Sequence, residues 1–536
     1  MFFILLCLLG VLVLVFLYRE KHYSSNYWEN KGIKSFKALW LTDKVIRLVF
    51  QRVSLAETIL SYYNAVPNEK CVGFVAFNNA TLIIRDTELI KQITVKDFDY
   101  FTDHPKTFFV EGVDGLLDKN LFALDGDTWR EMRATLSPAF TGAKIRGMFQ
   151  VVNECGDQMA AFYLNEIKKL GGDSKHIELE LKDSFTRFTN DVIANTAFGV
   201  KCNSFQDKNN EFYLMGRAAI KFKAWRIILL SLIPAVLNKV LKFTAIPIYV
   251  CDYFRNLVKH TTTIRKLQNI IRKDMLHLLM EAQKSTLKYE NYIEYKEFAA
   301  VDESINSYGK ARTLDDEDVA AQAFIFFLTS FESTSTAMCF VAYELALNPD
   351  IQQRCYDEIH EILESTDGKL SYDAVQKIKY LDMVISETLR KWPPAVATDR
   401  VCTKPYTLNV DGKDIFLEKG TNIEIPIYGI HHDPQFYPNP DKFDPERFSD
   451  ENRHNIDPMT YLPFGVGPRN CIGSRFALME IKVAMFHLIK NFEIILTNKS
   501  TVPPKLTTST SCLGIVGGFN VGLRPRPIDH TSTYLI

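Results

Sequence analysis

No two of the ten cysteines lie closer than the 16 residues separating Cys339 from Cys355. That spacing excludes Cys-x-x-Cys zinc and redox sites and a dense disulfide framework. It points to a reduced compartment with mostly buried thiols. Neither sign of charge is in excess. Lys+Arg 63 against Asp+Glu 64 leaves a formal net charge of -1, so there is no basic field to hold nucleic acid. Gly 25 and Pro 21 are ordinary usage and no fixed-period repeat occurs, which removes collagen and solenoid architectures. A flavin or nicotinamide fingerprint is missing as well. What is present, 47% hydrophobic and 24% charged residues over 536 positions, is the profile of a folded chain.

Met1 to Tyr18 is an almost uninterrupted apolar run closed by Arg19, Glu20 and Lys21. At about 1.5 Å per helical residue it nearly spans a hydrocarbon core about 30 Å thick. A secretory signal would carry a basic segment before the run and a small-residue cleavage site after it, and a mitochondrial presequence would be amphipathic and Arg-rich. Neither pattern is found. Arg19, Lys21, Lys31, Lys34 and Lys37 lie downstream, so the positive-inside rule leaves the body in the cytoplasm. The expected organisation is a retained single-pass anchor at 1–18, a linker and start of the body at 19–66, and one large domain at 67–536.

Two hairpins are expected, one of Val72–Phe77 with Thr81–Arg85, the other of Tyr406–Val410 with Ile415–Leu417 around Asp411-Gly412. Helical periodicity dominates elsewhere, at 143–169, 178–198, 252–283, 314–347, 350–365, 373–391 and 474–491. The fold class is therefore mainly α, of the α+β kind, with small sheets. Leu314–Leu347 is apolar all round in its middle and should cross the interior, with Thr313 and Asp316 as a capping box. Ile227–Val240 and Ile246–Val250 are apolar but broken by Pro234 and Pro247, a pattern suited either to core or to a segment dipping into the membrane.

Phe464-Gly465-Val466-Gly467-Pro468-Arg469-Asn470-Cys471-Ile472-Gly473 folds three glycines and a proline around one thiol, directly before an apolar helical run. Amides at that helix start, with Arg469 adding a cation, should lower the thiol pKa, and Phe464 can cover the sulfur. The decapeptide resembles the haem-ligand signature of the cytochrome P-450 haem-thiolate monooxygenases, and the similarity extends over nearly the whole chain. The resemblance implies a helix-rich fold with small β-sheets, and makes Cys471 the axial ligand of the haem iron, with Gly473 in the same loop.

Further spacings carry the same resemblance. Glu387-Thr388-Leu389-Arg390, ahead of Asp444-Pro445-Glu446-Arg447-Phe448, resembles the family's buried Glu-x-x-Arg network, which gives Glu387, Arg390 and Arg447 a structural role. Trp129-Arg130-Glu131-Met132-Arg133 resembles its Trp-x-x-x-Arg, so Trp129 and Arg133, with Arg400 and Arg469, are the implied partners of the haem propionates. Arg suits that task because it binds carboxylate in a two-pronged fork.

The long helix departs from the family's oxygen-pocket pattern. It reads Thr329-Ser330-Phe331-Glu332-Ser333, with Ser330 for the usual glycine and Ser333 for the usual threonine. Glu332 and Ser333 remain an acid and an alcohol able to pass protons. Ser330 narrows the groove, although its hydroxyl could bond back to the helix and open it. Apolar or small residues at matching positions supply the expected substrate pocket: Phe108, Phe109, Val110 and Leu117; Ile325, Phe326, Leu328 and Thr329; Ala395 and Val396; Ile515 and Val516. They imply lipophilic, uncharged substrates. The likeness is to insect detoxification enzymes related to vertebrate family three, implying xenobiotics such as plant toxins or insecticides, or an endogenous lipid.

The implied partners are NADPH-cytochrome reductase, with cytochrome b5 as a second electron donor, and the membrane of the endoplasmic reticulum. Lys144, Arg146, Arg453, Arg469, Arg475 and Lys482 could form a basic face for an acidic partner. The expected activity is insertion of one oxygen atom from dioxygen. A peroxide-rearranging haem isomerase and a silent haem-binding carrier of lipophiles are the alternatives.

Overall fold

The structure is a computed structural model that describes residues 27–36, 52–76, 79–106, 112–170, 176–221, 226, 230, 233, 238, 240–284, 298–300, 311–508 and 512–527. The anchor at 1–18 and the pocket residues Phe108, Phe109 and Val110 lie outside the described residues, as does most of 227–240.

The described helices of nine or more residues are α1 (Leu55–Asn64), α2 (Gly126–Leu136), α3 (Gly142–Leu170), α4 (Leu181–Ile193), α5 (Glu211–Ile220), α6 (Ile248–Gln268), α7 (Met275–Gln283), α8 (Asp316–Leu347), α9 (Pro349–Ser365), α10 (Lys379–Lys391) and α11 (Ser474–Asn491). Among the described residues there are nine short strands: β1 (Cys71–Ala76), β2 (Asn79–Ile84), β3 (Ile177–Glu180), β4 (Thr398–Val401), β5 (Tyr406–Val410), β6 (Lys413–Leu417), β7 (Asn422–Ile425), β8 (Phe492–Ile495) and β9 (Asn520–Pro525). They form a four-stranded sheet in the order β1-β2-β7-β4, a three-stranded sheet β3-β9-β8 and the β5-β6 hairpin. Helix with small sheets is the expected class.

The long helix α8 is the axis of the molecule. Phe324, Phe327, Phe331, Phe340 and Tyr343 on several of its faces are wholly buried, which is why its sequence is apolar all round. The charge at its start is local. Asp315 accepts from the Asp318 amide (2.6 Å) while Asp318 accepts from the Asp315 amide (3.0 Å), so the capping box sits two residues beyond the expected Thr313. Asn348 closes the helix, and Pro349, with no amide to donate, opens α9.

Three expected helices are broken. Residues 177–180 are the strand β3, paired to β9, and Glu180 then caps α4 by accepting from the Asp183 amide (2.9 Å). Asn269, at φ 51, ends α6 in the left-handed region, and Asp274 caps α7. The same Asp274 carboxylate holds Arg265 through two bonds of 2.7 and 2.6 Å, locking the bend with a buried pair. Residues 372–391 divide into a short helix at Tyr372–Gln376 and α10. The β5-β6 turn forms as expected, with Asp411 at φ 52 and Gly412 at φ 79.

Candidate active site

Tight backbone geometry brings the thiol loop together. Gly465 and Gly467 sit at φ 71 and 74, and a Cβ on Gly467 would stand 2.0 Å from the Thr94 carbonyl oxygen. Only glycine fits there. The Cys471 amide donates back to the Phe464 carbonyl (2.9 Å), and Gly473 precedes the first residue of α11. Arg133, on α2, donates to the Asn470 carbonyl (3.0 Å) and to Asn470 Oδ1 (2.7 Å), fixing the residue before the thiol.

Cys471 is deep in the protein yet exposed, because it lines a cavity of about 850 Å³. Burial pushes its thiol up from the ordinary value, and the Gly473 amide and the Arg133 charge oppose this only partly. The expectation of a thiol acidified by the loop itself is therefore corrected, since desolvation outweighs the amide and the cation that acts is Arg133 rather than Arg469. Coordination to a metal is what deprotonates such a thiol.

The same cavity is lined by Trp129, Arg133, Phe464, Arg469 and Gly473. Arg469 spends its donors on carbonyls, at Thr102 (2.7 Å), Leu124 (2.6 Å) and Leu121 (3.4 Å), and stacks 4.2 Å over the Trp129 ring. Its nearest carboxylate, Asp103, is 4.0 Å away. Arg400, from β4, is wholly buried, bonds the Val466 carbonyl (3.1 Å), and leaves Nε without a partner among the described residues. Burial holds Arg400 down to about 10, and burial followed by the Arg400 charge holds Arg469 down to about 9. Guanidiniums depressed in this way are cations lacking an anion.

Behind the loop, Glu387 and Arg390 are fully buried and joined by bonds of 2.7 and 2.9 Å, with Arg447 3.5 Å from the same carboxylate. Arg390 also donates to the His431 carbonyl (2.8 Å). His431, kept neutral by burial, accepts the Leu462 amide at Nε2 (2.8 Å), so its Nδ1 carries the proton given to the Arg390 carbonyl (2.9 Å). The cluster is thus connected to the thiol loop through a histidine that no sequence spacing marks.

On α8, the Glu332 carboxylate pairs with Lys182 of α4 (3.2 Å), which also bonds Ser335 (2.8 Å) and Thr336 (2.7 Å). Ser333 Oγ donates to the Thr329 carbonyl (2.6 Å). Of the two readings of Ser330, the bond back to its own helix is not found among the described residues. Its hydroxyl meets Glu480 of α11 at 3.3 Å, and burial pushes that carboxyl up to about 8. Glu480, like His104 beside Asp399 (2.6 Å), carried no local signal, since each is recognisable only by what folds against it.

Of the expected pocket residues, Leu117, Ile325, Phe326, Leu328, Thr329, Ala395 and Val396 line the cavity. Ile515 and Val516 do not. Ile515, bridged to Leu506, is buried in core and Val516 is a surface residue at 46% exposure; Thr507, Cys512 and Leu513 reach the cavity instead. Two expected members of the basic face are also corrected. Lys482 is fully buried, 3.4 Å from Asp382, and Arg469 is buried in the cavity wall, whereas Arg146 and Arg453 lie at the surface.

The Cys471 thiol, presented to an apolar cavity by a glycine loop, with Arg469 in the cavity wall and Arg400 buried against the same loop, defines a haem-thiolate site. The cytochrome P450 family model matches residues 50–519, and the chain belongs to that family. It is 44% identical over 518 residues to "Cytochrome P450 9e2" of Blattella germanica, covering 94% of this chain and 95% of the relative. It is 39% identical over 518 residues to "Probable cytochrome P450 9f2" of Drosophila melanogaster, covering 95% and 97%. A third relative, "Probable cytochrome P450 9h1" of the same fly, is 36% identical over 530 residues, covering 97% and 96%. Family membership makes the chain a monooxygenase with a haem cofactor and an NADPH-dependent reductase as electron source. The residues fit that cofactor: its propionates would supply an anion to Arg469 in the cavity wall and to Arg400 behind it, and its iron a partner to the Cys471 thiol.

Proposed function

We propose that this chain is a membrane-bound monooxygenase of the endoplasmic reticulum acting on lipophilic xenobiotics, with endogenous lipids as the narrower substrate class. The observation that carries the reading is the Cys471 thiol lining an apolar cavity together with Arg469, with Arg400 buried behind the same loop. Cys471 would hold the haem iron, and Trp129, Arg133, Arg400 and Arg469 would hold its carboxylates, with Phe464 and Gly473 closing the loop side. When bound, the haem supplies reductive activation of dioxygen, one atom going to substrate and the other to water.

The protein's own part is proton supply and exclusion of water. Glu332 holds a carboxylate against Lys182 in the cavity wall, and Ser333 presents a hydroxyl one residue on. Together they can pass protons inward. Glu387, Arg390 and Arg447 brace the loop from behind through His431 and Leu462. Electrons would enter from NADPH-cytochrome reductase, with cytochrome b5 as a second donor, across a surface carrying Lys144, Arg146, Arg453 and Arg475. Attachment beside the anchor is supported by the exposed apolar side chains Val240, Leu241, Ile248 and Tyr249.

The ferrous carbon monoxide spectrum of wild type and Cys471→Ala tests the thiolate, whose signature should vanish in the variant. Substrate turnover that requires both NADPH and reductase separates a monooxygenase from a peroxide-rearranging isomerase and from a silent carrier. Turnover without either donor would overturn the proposal.

A further inference from the structure

One wall of the cavity carries an acid that oxygen activation does not use. Glu424 lies on β7 between β2 and β4, and in the antiparallel register it stands directly opposite Asp399. Residues so opposed share one face of a sheet, where like charges repel. Both line the cavity, together with Leu55, Ala56, Ile59 and Val396. Asp399 is matched by His104 at 2.6 Å. Glu424 has no such match, since its Oε1 is buried without a hydrogen-bond partner among the described residues. Burial, then the Asp399 charge, pushes this carboxyl up to about 7.

Among the described residues no charged group on the packed elements forms an ion pair with Glu424. Arg400 on β4 donates to Thr398, to the Asp399 carbonyl and to the Val466 carbonyl. Arg85, just after β2, donates to the carbonyls of Val66, Pro67 and Glu69. Glu57 on α1 closes the capping box with Ser54, and Tyr62 of α1 is itself pushed up by burial and by Glu424. A carboxylate left in this state costs stability that Ile, the residue type flanking it at 423 and 425, would not cost. A positively charged guest would supply the missing partner.

We infer that Glu424 is the anchor of a cation-binding subsite in the substrate cavity, where it receives the nitrogen of lipophilic amines while their apolar bodies fill the remaining space. The inference rests on the cavity being the substrate site, and it departs from the uncharged lipophiles expected from the apolar lining by favouring apolar bodies with one cationic end. The acid is ionised above about pH 7, so selection for the cation holds at pH 8 and fades at pH 6.

Two isosteric probes test this on the haem-loaded full chain. One is trimethyl(4-phenylbutyl)ammonium, which cannot ligate iron through nitrogen; the other is its uncharged carbon analogue, 5,5-dimethylhexylbenzene. Equilibrium dialysis reads affinity independently of turnover. Wild type should prefer the cation roughly tenfold at pH 8, and the ratio should fall toward one at pH 6. Glu424→Gln should bring it to one at both pH values while leaving affinity for the neutral probe unchanged, and Glu424→Asp should keep part of it. Equal affinities in wild type at pH 8, or a preference that survives Glu424→Gln, would overturn the inference. Should that variant fail to fold, the pH dependence of the wild-type ratio decides alone. A carbon monoxide signature that persists in Cys471→Ala would instead remove the haem-thiolate reading, so the two failures are distinguishable.

Discussion

Replacing Glu387 with Gln probes the buried charge cluster with almost no change of shape. The carboxylate now accepts from Arg390 Nε and Nη2 and from the Asp444 amide (3.0 Å), with Arg447 close by. An amide would turn an NH₂ toward a guanidinium, donor against donor, and leave Arg390 fully buried without its counter-charge. Removing one partner of a buried pair in this way costs about 3–5 kcal/mol. At about 2.1 cal/mol/K per residue, a chain of 536 residues unfolds with an entropy near 1 kcal/mol/K, so the melting temperature should fall about 3–5 °C. Calorimetry of the haem-loaded protein measures the shift. The damage should also reach the thiol loop, because Arg390 holds His431 and His431 holds Leu462. The fraction showing the thiolate carbon monoxide band should therefore drop in the same sample. A variant with unchanged melting temperature and an unchanged band would refute the argument that this cluster braces the loop.

Gly467→Ala forces a Cβ against the Thr94 carbonyl at φ 74, so haem incorporation per folded chain should fall at least several-fold, and full incorporation would contradict the close approach. Glu480 titrates at about 8, above its ordinary 4.5, so its contribution to stability is complete below pH 4.5 and is lost as the pH rises to about 8. Glu480→Gln, which imitates the neutral form, should match wild type at pH 5 and exceed its melting temperature at pH 9, and parallel pH profiles would contradict this. Ser333→Thr restores the β-methyl that restricts side-chain rotation, so peroxide formed per NADPH should decrease, and an unaltered yield would show that hydroxyl mobility is not what leaks reducing equivalents.

What could be read from the sequence was what is local. The glycines, the thiol and the following helix fall within a dozen residues, and the Asp411-Gly412 turn declares itself by its left-handed backbone. The long helix is legible because burial on all faces leaves a continuous apolar stretch. Strand β3 was hidden because four residues form it and its partner, β9, lies at 520–525. The bend at Asn269 was hidden because the apolar periodicity resumes after it. Lys482 looked like a surface cation because its counter-ion, Asp382, belongs to another helix. Glu424 and His104 were invisible for a related reason, since what distinguishes them is the absence or presence of a partner in space.

The thiol loop is finished by parts of the chain made long before it. Arg469 bonds Thr102 across a separation of 367 residues, and Arg133 bonds Asn470 across 337. During synthesis the amino-terminal half must wait, with its cavity wall unclosed, until nearly the whole polypeptide has left the ribosome. Nascent fragments lacking the last hundred residues can therefore neither seat a porphyrin nor seal the apolar surface meant for it, and become natural clients of chaperones.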